Sequence, residues 1–181
     1  GLLGRFNASN LLAALASLCV SGLPFAEALK RLAQTRTVPG RMERFDMGAG
    51  RPLAVVDFAH TAAALEAVLR SLRAHCRGKL WCVFGAGGDR DRGKRSLMGA
   101  VAERHADAIV LTDDNPRTED AKKIVSDIRS GLKQPAAVHV EHDRAHAIGW
   151  ALQHAGEHDI VLIAGKGHET VQIVGNRAVP F

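Results

Sequence analysis

Residues 80–88 are Leu80-Trp81-Cys82-Val83-Phe84-Gly85-Ala86-Gly87-Gly88, five apolar residues that lead directly into a glycine-rich segment. An apolar run of this length without polar alternation is typical of a strand that is buried on both faces of a sheet. The run therefore predicts a central strand over 80–84. The glycine-rich segment predicts a loop at the carboxyl end of that strand.

The same rhythm continues on both sides of this strand. Further strands are predicted over 53–56, 108–111, 137–140 and 160–164. Helical patterns lie between them over 61–76, 94–105, 120–130 and 143–154. Such alternation predicts an α/β fold with a Rossmann-like, mostly parallel sheet flanked by helices. A hairpin over 170–174 and 178–181 would complete it.

The first forty residues have a different, helical pattern. Asn7 or Ser9 is suited to cap a helix whose apolar residues continue to Cys19, and Pro24 marks the start of a second helix. The segment 35–40, which ends in Pro39-Gly40, is a candidate linker. We therefore expect a helical segment over 1–40 and the α/β domain over 41–181.

The composition disfavours several classes of protein. The net charge is +5, but the basic residues form no run and aromatic residues are only 4%, which disfavours nucleic-acid binding. No apolar run is long enough to span a bilayer. Three cysteines without a CxxC pair indicate a reducing compartment. Without an initiator Met or a signal-peptide pattern, the chain is expected to be a fragment.

Polar clusters follow four of the predicted strands, at the edge where open α/β sheets bind ligands. These clusters span residues 57–61, 85–95, 112–117 and 165–169. Together they combine carboxylates, guanidinium groups and an amide. The sequence therefore predicts one pocket suited to a zwitterionic ligand.

The glycine-rich segment permits more than one interpretation. Residues 88–94 match the phosphate-binding pattern G-x4-G-K, but Arg95 stands where that loop needs Ser or Thr, and Asp89 and Asp91 would repel phosphate. A flexible, solvated loop is the plain alternative. Arginines among glycines at a ligand-binding edge favour a third interpretation, carboxylate binding by bidentate guanidinium contacts.

Asp114-Asn115-Pro116-Arg117 is by itself a typical turn sequence. Beside the neighbouring loops, it also offers an anion, an amide and a guanidinium group on a segment that proline stiffens. His60 follows a strand and precedes a helix, a placement that favours ligand contact. Asp57 would accept a hydrogen bond from a ribose hydroxyl or cap its own turn.

These segments resemble the Mur ligases, and among them the members that add meso-diaminopimelate to UDP-N-acetylmuramoyl-L-alanyl-D-glutamate in peptidoglycan synthesis. The resemblance covers essentially the whole chain, and residues 114–117 are its most specific element. It is carried by residues 4–10, 40–43, 56–61, 87–91, 114–117 and 165–169.

The resemblance implies functions for individual residues, with no catalytic residue and no metal ligand among them. The diaminopimelate would be held by Arg90, Asp114, Asn115, Arg117, Gly165 and Glu169. ATP would be contacted by Asn7, Arg41, Asp57 and His60. The reaction would use ATP and Mg²⁺ and pass through an acyl phosphate. Residues 1–40 would close the central ATPase domain of a cytoplasmic, monomeric bacterial enzyme with no nucleic-acid or membrane partner.

The chain also departs from the family pattern. Phe58 and Ala62 replace a common Tyr and Pro, and the family's P-loop and UDP-sugar domain are not among the 181 residues. The ligands of the Mg²⁺ are expected mostly outside this chain, which also ends before an expected last helix. Because of these missing parts together, we expect the fragment alone to be inactive. Two alternatives stay open. One is a domain of a glutamate-adding, folylpolyglutamate-synthetase-like ligase, and the other is a non-catalytic nucleotide-binding module.

Overall fold

The structure, a computed structural model, describes residues 4–180, apart from the side chains of Arg5 and Phe6. The helices in this range are α1 (Arg5–Val20), α2 (Phe25–Ala33), α3 (Ala62–Arg73), α4 (Gly93–His105), α5 (Ala121–Arg129) and α6 (Arg144–His154). The strands are β1 (Glu43–Asp46), β2 (Leu53–Asp57), β3 (Leu80–Phe84), β4 (Ala108–Leu111), β5 (His139–Val140), β6 (Ile160–Ala164), β7 (Val171–Val174) and β8 (Arg177–Pro180).

Six strands form one sheet in the order β1-β2-β6-β3-β4-β5, in which only the edge strand β1 is antiparallel to its neighbour. From β2 the chain progresses across the sheet through α3, α4 and α5, and then returns through α6 to insert β6 between β2 and β3. Because crossovers between parallel strands are right-handed, reversing direction puts α6 on the opposite face from α3, α4 and α5. The predicted fold class is confirmed.

The core lies on both faces of the sheet. On one face, apolar residues of α3, α4 and α5, among them Leu69, Met98 and Ile128, pack against Leu80, Cys82 and Phe84 and other strand residues. On the opposite face, alanines of α6 pack against Trp81, Val83, Val110 and Val161. All five residues of β3 are buried, which confirms the predicted central strand.

Two predictions about strands were incomplete. The segment predicted over 137–140 is a strand only at His139–Val140, because Pro135–Ala137 forms a 3-10 turn instead. The edge strand β1 was missed. Its residues are mostly charged and exposed, so they carry no apolar alternation that would indicate a strand.

The helix starts were predicted with mixed success. The side chains of Thr61, Asp120 and Asp143 accept hydrogen bonds from backbone N–H groups and cap α3, α5 and α6. The expectation that Asn7 or Ser9 caps α1 is wrong, because the helix begins at Arg5 after Gly4 and has no side-chain cap.

The predicted hairpin is present as β7 and β8, which pair in an antiparallel register apart from the main sheet. Residue 181, the end of the predicted hairpin, lies outside the described residues. The helices α1 and α2 pack against each other and leave Leu12, Val20 and Phe25 exposed. In the described part of the chain, no helix is both long and apolar enough to cross a membrane.

Candidate functional site

The loops after β2, β6, β3 and β4 meet at one edge of the sheet, because these four strands are parallel neighbours. They enclose a cavity of about 260 Å³, here named the strand-end cavity. All six residues predicted to hold the acceptor line this cavity. The full lining is Phe58, His60, Gly85, Ala86, Gly87, Arg90, Lys94, Asp114, Asn115, Arg117, Gly165 and Glu169.

The loop after β4 is held by the β7–β8 hairpin. Arg117 has a left-handed backbone conformation, with φ +53°, which is strained for a residue with a side chain. Two backbone hydrogen bonds fix it there: Arg117 N donates to Ile173 O at 2.9 Å, and Gly175 N donates to Arg117 O at 2.7 Å. Strain that the surrounding structure imposes in this way is common at ligand sites.

Asn115 is buried and its amide is largely occupied by protein groups. Its Oδ1 accepts hydrogen bonds from Lys166 Nζ at 2.9 Å and from Ile173 N at 2.9 Å. Its Nδ2 donates to Glu169 Oε2 at 3.0 Å. Asn115 therefore joins the hairpin to the loop after β6 and positions Glu169 at the cavity.

Glu169 keeps one carboxylate oxygen for the cavity. Its Oε2 accepts from Lys166 Nζ at 2.8 Å as well as from Asn115, whereas Oε1 has no hydrogen-bond donor among the described residues. Burial alone would raise the pKa of Glu169. The hydrogen bonds from Lys166 and Asn115, with the charges of Lys166 and Arg117, outweigh burial and hold the pKa below its ordinary value. Glu169 is therefore an anion at neutral pH.

Asp114 and Arg90 are two further groups of the cavity that are available to a ligand. The Asp114 carboxylate is buried and receives no hydrogen bond from residues 4–180, and the exposed Arg90 makes no ion pair within that range. Gly165, with φ +113°, lies directly against the Asp114 carboxylate: a Cβ there would lie 2.7 Å from Asp114 Oδ2, so the Asp114 side chain would have to shift. The cavity thus presents separate positive and negative groups to a ligand.

The glycines of the loop after β3 are packed against the loop after β4, whereas residues 89–93 of the same loop are exposed to solvent. A Cβ on Gly85 would lie 2.1 Å from Thr112 O, and one on Gly88 would lie 1.8 Å from Pro116 O. The Asp89 carboxylate accepts hydrogen bonds from the backbone and hydroxyl of Thr118 at 3.1 and 2.8 Å. Both glycines are needed so that the two backbones can approach each other.

Arg95, which replaces the Ser or Thr of a phosphate-binding loop, is fully buried under the glycine-rich segment. Its guanidinium group binds Glu119 at 2.8 Å and Asp127 at 2.8 Å, and also donates to Gly87 O at 3.2 Å. The hydrogen bonds from Arg95, and then from the backbone of Asp89, lower the pKa of Glu119 to about 2. The segment is thus held by a buried ion pair, which argues against a P-loop.

A second cavity of about 670 Å³, here named the helix-side cavity, lies between α3 and the segment formed by α1, α2 and residues 35–38. Asn7, Arg41 and Asp57, three of the four residues predicted to contact ATP, line it. The full lining is Asn7, Asn10, Leu11, Ala14, Leu32, Thr35, Arg36, Thr37, Val38, Arg41, Asp57, Ala64, Ala67 and Val68. His60, the fourth residue, lines the strand-end cavity instead.

Asp57 lies at the end of β2 and is buried. Its two carboxylate oxygens accept hydrogen bonds from Met42 N at 2.9 Å and Ala59 N at 2.8 Å, which fits the turn-capping alternative. Burial raises the pKa of Asp57, although these hydrogen bonds and the charge of Arg41 act in the opposite direction. Each oxygen keeps a second lone pair for another donor.

Phe58 contacts groups that belong to both cavities. The Arg41 guanidinium lies over its ring at 4.8 Å from the centroid, and the His60 and His168 rings pack around it. The aromatic residue at this position therefore joins a cation of the helix-side cavity to a wall of the strand-end cavity.

The residues described do not form a metal site. Within 4–180, side chains of Arg5 and Phe6 apart, no group of three or more His, Cys, Asp or Glu residues is placed to hold a metal ion.

A sequence model of the family described as "Mur ligase, glutamate ligase domain" matches residues 40–167, more than half of the chain. The chain belongs to the Mur ligase family. Its similarity to the UDP-N-acetylmuramoyl-L-alanyl-D-glutamate–2,6-diaminopimelate ligase of Coxiella burnetii is 57% identity over 180 residues, 99% of this chain and 37% of that protein.

Two solved structures are also similar to this chain. A structure of a UDP-N-acetylmuramoyl-L-alanyl-D-glutamate–2,6-diaminopimelate ligase matches with a TM-score of 0.77 and 42% identity, over 99% of this chain and 37% of the other. The folylpolyglutamate synthase of Mycobacterium tuberculosis, solved with ADP and AMPPCP, matches with a TM-score of 0.70 and 25% identity, over 91% and 38%. The chain thus spans little more than a third of the length of these relatives.

Three cations of this Mur ligase chain near the strand-end cavity were missed from the sequence. Lys166 had a local signal, its spacing of three residues from Glu169. Arg144 had none, because it acts across the fold: from the start of α6 it donates to Ala164 O at 2.9 Å and Asp113 O at 3.3 Å. Lys94 was considered only as a P-loop lysine, yet its Nζ donates to His60 O at 3.0 Å and lines the cavity.

Proposed function

We propose that this chain is the acceptor-binding part of an ATP-dependent amide ligase that joins meso-diaminopimelate to UDP-N-acetylmuramoyl-L-alanyl-D-glutamate. One observation carries the proposal: all six predicted acceptor residues line the strand-end cavity, and they include both positively and negatively charged groups. At about 260 Å³ it is smaller than pockets for drug-sized molecules, which measure about 300–1,000 Å³, and it suits an amino acid.

The groups that the protein leaves open determine how such an acceptor would bind. The free guanidinium of Arg90 is suited to bind a carboxylate, and Arg117 offers a second guanidinium group for the same purpose. The Asp114 carboxylate and Glu169 Oε1 are suited to ammonium groups. Two cation sites and two anion sites match the two amino-acid heads of diaminopimelate better than the single head of lysine. Asn115 acts mainly by holding Glu169, and Gly165 by leaving space beside Asp114.

The helix-side cavity is the proposed nucleotide site. Its volume and largely apolar walls suit a nucleoside, with Asn7 and Arg41 at the polar part and Asp57 within reach of a hydroxyl. ATP supplies the phosphoryl group that activates the substrate carboxylate. His60, at the boundary of the two cavities, would lie near the reacting groups. The residues of this chain would then hold and orient the acceptor amine and exclude water from it.

The test is ADP release by the protein expressed from the complete gene, with UDP-N-acetylmuramoyl-L-alanyl-D-glutamate and either meso-diaminopimelate or L-lysine. We expect a strong preference for diaminopimelate. Arg117→Ala should lower kcat/KM for diaminopimelate at least about 10-fold, because a hydrogen bond to a charged group is worth about 1.5–3 kcal/mol. Arg51→Ala, in the exposed turn before β2, is the matched control and should have little effect.

The outcomes separate the alternatives. Equal turnover with lysine would still support an amide ligase but would contradict the proposed selectivity of the cavity for diaminopimelate. Turnover with glutamate on a folate, and with neither amino acid above, would favour the folylpolyglutamate-type reaction. The absence of ADP release with every acceptor would leave a nucleotide-binding module and contradict the proposal.

A further inference from the structure

Lys94 is a charged residue of the cavity in which the proposed acceptor would bind. It lies in the first turn of α4, lines the strand-end cavity, and its Nζ donates to His60 O at 3.0 Å. One N–H bond suffices for this contact. A neutral lysine amine would therefore keep its anchor on the β2–α3 connection and have its nitrogen lone pair available to the cavity.

The charges around Lys94 come from three elements. Asp114, after β4, and Asp91, in the glycine-rich loop, favour its charged form. Arg95, in its own helix, and Arg90, in the same loop, oppose it. Burial is the largest influence on Lys94, and together these influences lower the pKa of its ammonium group below the ordinary value.

Binding of the acceptor would change this balance. In the proposed function the Asp114 carboxylate pairs with an ammonium group of the ligand. Asp114 is also the anion that most favours the charged form of Lys94. When a ligand ammonium pairs with Asp114, this carboxylate stabilises the charged form of Lys94 less. Burial and the positive charges of Arg90 and Arg95, which favour the neutral form, are then opposed less strongly. Acceptor binding should therefore drive a proton off Lys94.

We propose that Lys94 is the general base for the attacking amine of the acceptor, an inference that rests on the proposed function. In this step neutral Lys94 Nζ takes a proton from the acceptor ammonium and becomes an ammonium itself. The freed amine lone pair forms the new C–N bond to the acyl carbon. The C–O bond to phosphate breaks and phosphate leaves with its electron pair. The second proton of the attacking nitrogen, which the amide cannot keep, leaves with it as hydrogen phosphate.

His60 is a second side chain of the cavity that could act as a base. Its Nδ1 lies 2.9 Å from Phe58 O, so the ring is oriented against its own loop, and Nε2 is the nitrogen that remains for a proton. Lys94 is favoured because Asp114, which stabilises its charged form, is also proposed to bind one of the two ammonium groups of the acceptor. His60→Gln is therefore included as the competing variant.

The first test is the pH dependence of kcat in the protein from the complete gene, with diaminopimelate as acceptor. Lys94→Arg keeps the positive charge and the donor to His60 O but cannot act as a base near neutral pH. We expect kcat to fall about 100-fold or more. We also expect that the variant lacks the rise of kcat with pH that deprotonation of Lys94 causes in wild type. Lys123→Arg, on the exposed side of α5, is the matched control.

The second test does not depend on turnover. Calorimetric titration with meso-diaminopimelate, in two buffers of different ionisation enthalpy and with a non-hydrolysable ATP analogue present, measures proton release on binding. We expect wild type to release more protons than Lys94→Arg. Thermal unfolding of both proteins checks that the variant is folded.

Three results would overturn the inference: a Lys94→Arg enzyme with wild-type kcat and pH profile, equal proton release by the two proteins, or loss of the pH step in His60→Gln alone. Each requires a wild-type protein that binds and uses diaminopimelate. A wild type that does neither contradicts the proposed function instead, so the two failures are distinguishable.

Discussion

The strand-end cavity and the helix-side cavity differ in what holds their walls in place. The first is built on buried strand ends, backbone contacts that only glycine permits, and ion pairs that are wholly or largely buried. The second is bounded on one side by α1 and α2, which pack on each other and leave large apolar residues exposed. A site that recognises charged groups at fixed positions needs the rigid construction.

The largest effect is expected at the buried ion pair under the glycine-rich loop. Arg95→Met leaves Glu119 and Asp127 without their buried cation, which should lower the free energy of unfolding by about 3 kcal/mol. Arg92 binds the same Glu119 at 3.2 Å but its side chain is 60% exposed. Arg92→Met is therefore the control and should cost less than about 1 kcal/mol in urea unfolding. Equal costs would show that burial of Arg95 does not rigidify this cavity.

The next effect tests the close backbone contact. Gly88→Ala places a Cβ 1.8 Å from Pro116 O, so the two loops must separate, at a cost of about 2 kcal/mol. Gly149→Ala is the control, because a Cβ there meets nothing within 4 Å and α6 should gain about 0.5–1 kcal/mol. Opposite signs in thermal unfolding are the expected result. A neutral Gly88→Ala variant would mean that the loops are not in contact.

Two carboxylates, Glu119 under the glycine-rich loop and Asp57 at the helix-side cavity, should respond oppositely to pH. The folded-state pKa of Glu119 is about 2, below the ordinary 4.5, so its stabilising contribution is complete above pH 4.5 and is lost as the pH falls toward 2. The pKa of Asp57 is raised by burial, so its charge opposes folding at neutral pH and that cost disappears as the pH falls through the raised value.

Urea unfolding across this pH range measures the difference. The stability gap between wild type and Glu119→Gln should be widest near neutral pH and should close as the pH falls. Glu157→Gln, at an exposed turn residue without a hydrogen bond among the described residues, serves as the control. A constant gap for Glu119→Gln would mean that its pKa is ordinary in the folded protein.

The sequence predicted what local patterns determine. The apolar run of β3, the alternation of strands and helices and the polar loops at the strand ends all follow from residue type and spacing, and the six predicted acceptor residues do line one cavity. These features need only the sheet order to bring them together.

What the sequence did not predict depends on distant partners. Gly88 is in close contact with the backbone of Pro116, which lies on a different loop. Arg144, at the start of α6, donates hydrogen bonds to the carbonyl groups of Asp113 and Ala164. Arg95 was recognised as unsuited to a phosphate-binding loop, but its partners Glu119 and Asp127 lie on the next loop and helix. No spacing rule identifies such contacts before the fold is known.

The smallest effect is expected in α1 and tests whether residues 1–40 pack against a part of the protein outside this chain. Leu12 in α1 is 66% exposed, so Leu12→Ser should change the free energy of unfolding of the 181-residue chain by less than about 0.5 kcal/mol. If residues 1–40 close a further domain, as the family resemblance implies, Leu12 would be buried in the protein from the complete gene. The same substitution should then lower its melting temperature clearly, while Arg51→Ala should not. No difference between the two proteins would place α1 on an open surface and assign the helix-side cavity to this chain alone.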